Sequence, residues 1–131
     1  MGGQVQDAKA GSEGTRGDPA FMLEVTVEQF RQKYIFLAPD DYDVAVADIL
    51  VQEGTTVKLD GAALTGKVDA IGRSSWSVVR QALVAGAHRG VHTLEANRPV
   101  GLKVAAFGHA TGIYYPGGLN LKLISPPPIV K

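Results

Sequence analysis

The chain has 131 residues, with thirteen basic and thirteen acidic side chains and no cysteine. Its formal net charge is zero, and without a run of like charges the sequence predicts neither nucleic-acid binding nor a polybasic membrane patch. The lack of cysteine excludes disulfides and thiolate metal sites, and no stretch approaches the roughly 20 apolar residues of a membrane span.

The two ends of the chain differ in composition from the part between them. Residues 1–18 are rich in glycine and nearly free of large apolar side chains, so little burial offsets the entropy cost of ordering them. We therefore predict a flexible lead-in over residues 1–18 and a folded domain over residues 19–124. Residues 125–131 are a proline-rich tail, which cannot continue a sheet because proline lacks the N–H donor.

Short apolar segments begin at the start of the folded domain. Apolar and polar residues alternate over residues 21–27, which predicts a half-buried strand, and residues 28–33 follow as one helical turn. The dense apolar run 34–37 predicts a second strand, ended by Pro39. Residues 43–52 fit a helix or a strand by composition, and the neighbouring segments favour a strand.

The middle of the chain contains the strongest turn signal. Asp60-Gly61 is the dipeptide most typical of a tight hairpin, and it separates residues 56–59 from the returning residues 62–64. Further strands are predicted over residues 68–71, 76–83, 91–96 and 102–107. A turn at Asn97-Arg98-Pro99 is expected between the last two.

The C-terminal part predicts another hairpin. Pro116 presets its own φ, and Gly117 or Gly118 can supply the positive φ that a type II turn requires. Leucines then alternate with polar residues over residues 119–123, which indicates a strand after the turn. About nine short strands at such spacing predict an all-β fold, specifically a two-sheet antiparallel β-sandwich of jelly-roll type.

Clustered carboxylates form one candidate metal site. Asp40, Asp41 and Asp43 lie in a single loop, and carboxylate oxygens are the ligands that Ca²⁺ prefers. Their spacing does not match an EF-hand, and acidic residues after a proline also form ordinary turns. Calcium at these three residues is therefore an alternative to a plain loop, and no other cofactor is predicted.

The histidines do not form a recognisable catalytic motif. Zinc would require His88, His92 and His109 to converge on one point. Strand alternation instead places His92 on the same face as Leu94, which favours a half-buried histidine paired with a neighbour. No serine stands in a G-x-S-x-G elbow, so we predict that the protein is not an enzyme.

Aromatic residues near strand ends are the candidate ligand contacts. Trp76, Tyr114, Tyr115 and Tyr42 have amphipathic rings of the kind that bind carbohydrate or protein, although such rings more often pack in a core. Alternation sends one ring of the pair Tyr114 and Tyr115 inward and the other outward. The outward ring is the best single candidate for a contact.

Several segments carry a family resemblance. The matching segments, in chain order, are Gly17-Asp18-Pro19-Ala20, Glu28-Gln29-Phe30, Tyr34-Ile35-Phe36-Leu37-Ala38-Pro39, Val57-Lys58-Leu59-Asp60-Gly61, Gly90-Val91-His92-Thr93-Leu94, Pro99-Val100-Gly101 and Tyr115-Pro116-Gly117-Gly118-Leu119. With these segments the chain resembles the module named for the N-terminal domain of the IgGFc-binding protein, which recurs in large bacterial surface and secreted proteins. The resemblance implies an extracellular or cell-surface β-rich module within a longer exported protein, without catalytic residues. Immunoglobulin binding is not carried over, because no residue matches a defined Fc contact.

Together these observations predict a non-catalytic binding or adhesion module of a bacterial cell-surface or secreted protein. Its expected partner is a protein or a glycan at a surface, with no nucleic acid and no membrane insertion by this segment. One alternative is an assembly module that self-associates as a homo-oligomer through edge strands. Another is a carbohydrate-binding module, whereas a hydrolase would need a titratable pair or a metal in a cleft.

Overall fold

A computed structural model describes residues 5–6, 15–16, 19–39, 41–83, 90–108 and 111–121 of the chain. The elements in these ranges are strands and one short 3₁₀ helix. In chain order they are β1 (Val5–Gln6), β2 (Thr15–Arg16), η1 (Val27–Gln29), β3 (Arg31–Leu37), β4 (Val44–Gln52), β5 (Val57–Leu59), β6 (Ala62–Ala63), β7 (Lys67–Ala70), β8 (Trp76–Leu83), β9 (Val91–Gly108) and β10 (Thr111–Pro116). The prediction of an all-β fold is confirmed.

The long strand β9 organises the sheet. Its first half pairs with β3 and β5, and its second half pairs with β4 and β10, always antiparallel. Adding β6 beside β5, and β8 and β7 beside β4, gives one eight-stranded sheet. β9 connects both halves into a single curled sheet. The structure therefore does not confirm two separate sheets, and the two-sheet jelly roll stays a prediction.

Both halves of the curled sheet contribute to one core. Tyr34, Phe36 and Leu94 come from the first half, and Ile49 and Val104 come from the second. Along each strand these buried residues alternate with more exposed ones, as the two-residue period of a strand requires. The sheet therefore has a core face and an outer face, and the outer face is available for contacts.

The Asp60-Gly61 turn is confirmed. Asp60 has a φ of 50° and Gly61 a φ of 81°, and two successive positive values are the mark of a type I′ turn. Its twist matches the twist of the flanking strands, β5 and β6. The predicted strands over residues 34–37, 43–52, 68–71 and 76–83 are also present, with small shifts at their ends.

The predicted break at Asn97-Arg98-Pro99 is wrong, because β9 continues through it. The pairing of β9 with β3 shifts register between Lys33, which pairs with Glu95, and Arg31, which pairs with Val100. The predicted turn residues lie between these two pairs, where β9 has more residues than β3. Proline is tolerated at such a bulge because the ladder is already interrupted there. The turn signal therefore marks the point where β9 changes partners.

The predicted strand over residues 21–27 is also wrong. This segment is irregular and leads into η1, while β3 begins at Arg31. The side chains of Phe21 and Leu23 are 80% and 78% exposed, and the structure pairs the segment with no strand in the described ranges. Alternation alone cannot form a strand without a neighbour for its backbone hydrogen bonds.

The C-terminal hairpin differs from the prediction as well. Pro116 is the last residue of β10, and residues 117–121 are not a strand. Gly118 has a φ of 147°, far from the roughly +80° of a type II turn. Position 117 favours glycine because a Cβ there would overlap the Leu102 side chain. The Gly117 N–H also donates a hydrogen bond to the Leu102 carbonyl at 2.8 Å.

The lead-in contains a strand pair that the sequence did not predict. β1 pairs with β2 in a separate two-stranded antiparallel sheet. The remaining residues of the predicted lead-in, the predicted strand beyond Leu121 and the proline-rich tail lie outside the described residues. The predicted domain boundaries stay predictions.

Candidate functional site

A row of charged side chains crosses the outer face of the second half of the sheet. Asp48 of β4 pairs in register with Arg80 of β8 on one side and with Lys103 of β9 on the other. Directly paired residues of antiparallel strands share a face. Since Ile49 and Val104, their neighbours in the chain, are buried in the core, these three side chains lie on the opposite face. We call Asp48, Arg80 and Lys103 the charged row.

Ion pairs hold the charged row in place. The Arg80 Nε lies 2.9 Å from the Asp48 Oδ1, and the Lys103 Nζ lies 2.9 Å from the Glu24 Oε1. The hydrogen bond to Asp48 raises the pKa of Arg80. Burial by itself would lower the pKa of Lys103, but interactions with Glu24 and Tyr114 outweigh it and raise that pKa. Both cations therefore stay charged over the physiological pH range.

Tyr114 lies beside the charged row. It pairs in register with Ala105 of β9, which puts its ring on the outer face, and the Lys103 Nζ is 5.8 Å from the ring centroid. At this distance an ammonium group is attracted to the face of the ring. Tyr114 is thus the outward ring of the Tyr114–Tyr115 pair, half-buried and held by Lys103.

Tyr115 is the inward ring of that pair. It packs against the core, and its hydroxyl is buried without a hydrogen-bond partner in the described part of the chain. Burial raises the pKa of this hydroxyl. In this position Tyr115 contributes to packing rather than to the outer surface.

An apolar groove adjoins the charged row. It has a volume of about 450 Å³ and lies between the segment at Leu23 and Val25 on one side and, on the other, Pro116 at the end of β10 and Leu119 beyond it. Glu24, the partner of Lys103, also lines it. The outer face therefore offers an aromatic ring, fixed charges and an apolar groove side by side. The sequence missed this groove because the segment at Leu23 was predicted to be a strand of the sheet.

The other two predicted aromatic contacts lie apart from Tyr114. Trp76 pairs with Gln52 of β4. Tyr114 pairs with Ala105 of β9, which in turn pairs with Val46 of β4. Gln52 and Val46 are six residues apart, which corresponds to roughly 20 Å along the strand. The Trp76 ring packs edge-on against Phe30, with ring centroids 5.8 Å apart. Trp76, Tyr114 and Tyr115 therefore do not form one aromatic site.

Tyr42 precedes β4, at the opposite end of that strand from Trp76. Its hydroxyl lies 3.5 Å from the Thr111 Oγ1, which is long for a hydrogen bond between oxygens. Its ring is half-buried. Ligand binding by any of the four predicted aromatic residues stays a prediction.

The predicted calcium loop is described only in part. Asp41 and Asp43 are exposed, and Asp40 lies outside the described residues. Within the described ranges no three histidine, aspartate or glutamate side chains are placed to hold a metal ion. Calcium at these carboxylates stays a prediction.

His92 is paired with a neighbour, as expected, but it is buried where the sequence predicted a half-buried residue. Its Nδ1 lies 2.7 Å from the Asp60 Oδ2, and its ring stacks on Phe36 with centroids 5.4 Å apart. Because only 4% of the residue is exposed, the pair stabilises the fold and does not present an imidazole to solvent. The sequence did not identify Asp60 as the partner, and His88 and His109 lie outside the described residues.

The described part of the chain contains no helix with the length and apolar character needed to cross a bilayer.

The fold defines an all-β protein with one curled antiparallel sheet. A family model described as IgGFc binding protein matches residues 1–106, and the chain belongs to this family. The family is a binding, non-enzymatic one. Comparisons with curated proteins and with solved structures found no match.

Proposed function

We propose that this chain is a non-catalytic adhesion module of a bacterial surface or secreted protein, and that it binds a protein partner through its outer face. Membership in a binding family supports the class of function. The position of Tyr114 beside Lys103 is the observation that selects the face. Extracellular proteins are typical of the family, which supports the proposed location.

The chemistry of the outer face suits a protein partner. A half-buried tyrosine that is already held in place loses little conformational entropy on binding, and tyrosine is enriched at the centre of protein interfaces. The adjoining groove can take an apolar side chain from the partner. The ion pairs of the charged row supply a polar border whose geometry exists before binding, and such preorganisation favours affinity.

A carbohydrate ligand is the second candidate, because an exposed tyrosine face beside hydrogen-bonding groups also suits a sugar ring. The two candidates predict different sensitivities. A protein partner keeps its affinity after its glycans are removed, whereas a glycan ligand does not.

The test is biolayer interferometry of the full chain against immobilised IgG Fc, in native form and after enzymatic removal of its glycans. Fc is the first probe because the family's name refers to it. Binding of a protein partner through the outer face requires the same affinity for both forms and at least about a tenfold loss in Tyr114→Ala, as for a residue at the centre of an interface. Lys58→Ala, an exposed change in β5, is the control and should bind like the unmodified chain.

Three other outcomes lead to different conclusions. Binding that disappears with the glycans favours the carbohydrate-binding alternative. Binding that Tyr114→Ala leaves unchanged contradicts the choice of the outer face. Absence of binding to both forms of Fc excludes Fc as the partner of the outer face.

A further inference from the structure

Four strands lie at the edges of the described sheet, namely β3, β6, β7 and β10. An edge strand presents backbone N–H and C=O groups that can pair with another chain, and proteins usually protect such edges by shortness, charge or proline. β6 has two residues, β7 has four including Lys67 and Asp69, and β10 ends at Pro116. β3 is the longest of the four, with seven residues, and its second half contains neither charge nor proline.

The exposed side of β3 is apolar in that same half. Ile35 is 78% exposed and Leu37 55% exposed, and Leu37 pairs with Val91 of β9, which is 45% exposed. The alternate residues Tyr34 and Phe36 are buried in the core, so the strand is firmly attached to the fold. Among the described residues, β3 pairs with β9 alone.

We infer that β3 is a homodimer interface at which the β3 strands of two copies pair antiparallel about a two-fold axis at Phe36. In this register Ile35 of one copy lies opposite Leu37 of the second copy, and the reverse pair follows from the symmetry. The two curled sheets become continuous, and Val91 extends the apolar stripe on each side. This inference goes beyond the proposed function and uses a different surface.

The distribution of charge along β3 favours this register. Lys33 is the charged residue nearest to the apolar half, and its Nζ lies 2.9 Å from the Glu95 Oε1 of its own chain. With the axis at Phe36 the two Lys33 residues are about 20 Å apart along the strands, beyond the screening length of roughly 8 Å at physiological salt. An axis at Lys33 would instead place the two ammonium groups opposite each other. The strand is therefore self-complementary at its apolar end.

Sedimentation velocity of the full chain over a concentration series tests the inference. An interface of one short strand is small, so we expect a reversible rise in mass from 13.8 kDa towards twice that value as concentration increases. Ile35→Lys places a charge at the centre of the proposed contact on an exposed position and should keep the chain monomeric. Val68→Lys, at an exposed position of edge strand β7, is the matched control and should still dimerise.

Amide hydrogen exchange of residues 34–37 completes the test. In a dimer the edge amides become protected as concentration rises, and Ile35→Lys removes that protection. Protection that is already complete in a monomer would show that another segment of the same chain covers the edge, which overturns the inference. A mass that stays at that of the monomer, or a dimer that Val68→Lys disrupts and Ile35→Lys does not, also overturns it. Tyr114→Ala should leave the concentration-dependent mass unchanged. A failure of this inference is therefore distinguishable from a failure of the proposed function.

Discussion

Asp60 and His92 are 32 residues apart in the chain and form a partly buried contact, with the His92 Nδ1 2.7 Å from the Asp60 Oδ2. The other carboxylate oxygen of Asp60 accepts a hydrogen bond from the Thr93 N–H at 2.8 Å. One carboxylate at a tight turn therefore attaches the β5–β6 hairpin to β9.

Replacing Asp60 tests this attachment. Asp60→Ala removes the acceptor for both partners, of which His92 is buried and the Thr93 N–H is exposed, so we expect a loss of about 1–3 kcal/mol in the free energy of unfolding. Asp60→Asn keeps an oxygen acceptor and tolerates the positive φ, and its loss should be smaller. Urea denaturation followed by circular dichroism measures both, and equal losses would contradict a role for the acceptor.

Gly90 is required for close packing and not only for its backbone conformation. Gly90 and Gly54 have the same φ of 77°, but a Cβ at Gly90 would overlap the Ala38 carbonyl oxygen, whereas a Cβ at Gly54 would meet nothing within 4 Å. We expect Gly54→Ala to cost about 1–2 kcal/mol from the left-handed conformation alone. Gly90→Ala adds the clash and should cost upward of about 3 kcal/mol. Similar losses of stability in urea would refute the packing argument.

Phe30 holds the segment that leads into β3 against the outer face. It is 4% exposed, covers Gly101 and contacts Trp76 edge-on. Phe30→Ala should expose Trp76, the sole tryptophan, and shift its fluorescence emission to longer wavelength, with a loss of about 3 kcal/mol. Phe30→Leu should shift the emission less. An unchanged emission spectrum in Phe30→Ala would mean that Trp76 does not depend on this contact.

Tyr34, which is buried, and Tyr115, which is half-buried with a buried hydroxyl, are expected to respond differently to loss of that hydroxyl. The Tyr34 hydroxyl accepts a hydrogen bond from the Arg31 N–H and donates one to the Val100 carbonyl. Tyr34→Phe should therefore cost about 1–2 kcal/mol near neutral pH. The Tyr115 hydroxyl is buried without a partner in the described ranges, so Tyr115→Phe should be neutral or slightly stabilising. Thermal unfolding of both variants checks the difference, and a larger loss in Tyr115→Phe would be evidence against it.

Burial raises the pKa of both Tyr34 and Tyr115 above 10.0 in the folded chain. The unfolded chain releases these protons near the ordinary value, while the folded chain still binds them, so stability is complete below about pH 10 and falls as pH rises further. Tyr115→Phe should make this fall shallower. Urea denaturation at several pH values between about 8 and 11 measures it, and parallel curves for the variant and the unmodified chain would disagree with the assignment.

Local sequence was informative where a short segment decides its own structure. Asp60-Gly61 forms the expected turn because positive φ at both positions depends mainly on the two residues themselves. The inward and outward sides of Tyr114 and Tyr115 follow from strand alternation. A half-buried, paired His92 was predicted on the same basis; the pairing is confirmed, and the burial is deeper than predicted.

Local sequence failed where a distant strand decides the outcome. Residues 21–27 alternate like a strand, yet they cross the outer face, where Glu24 meets Lys103. Asn97-Arg98-Pro99 has the composition of a turn, yet β9 continues because the register shift opposite β3 accommodates the proline. In both places the structure depends on hydrogen-bond partners far away in the chain.

The sequence by itself therefore determined the β-rich fold class, most strand positions and the tight turn at Asp60-Gly61, since these follow from backbone preferences and the two-residue period. Only the tertiary structure decided that Asp60 meets His92, that Tyr114 lies beside Lys103, and that β3 is an edge with an apolar face. Each of these relations depends on which strands pair and in which register. That choice is made by burying one common core along the whole length of β9, and no local segment specifies it.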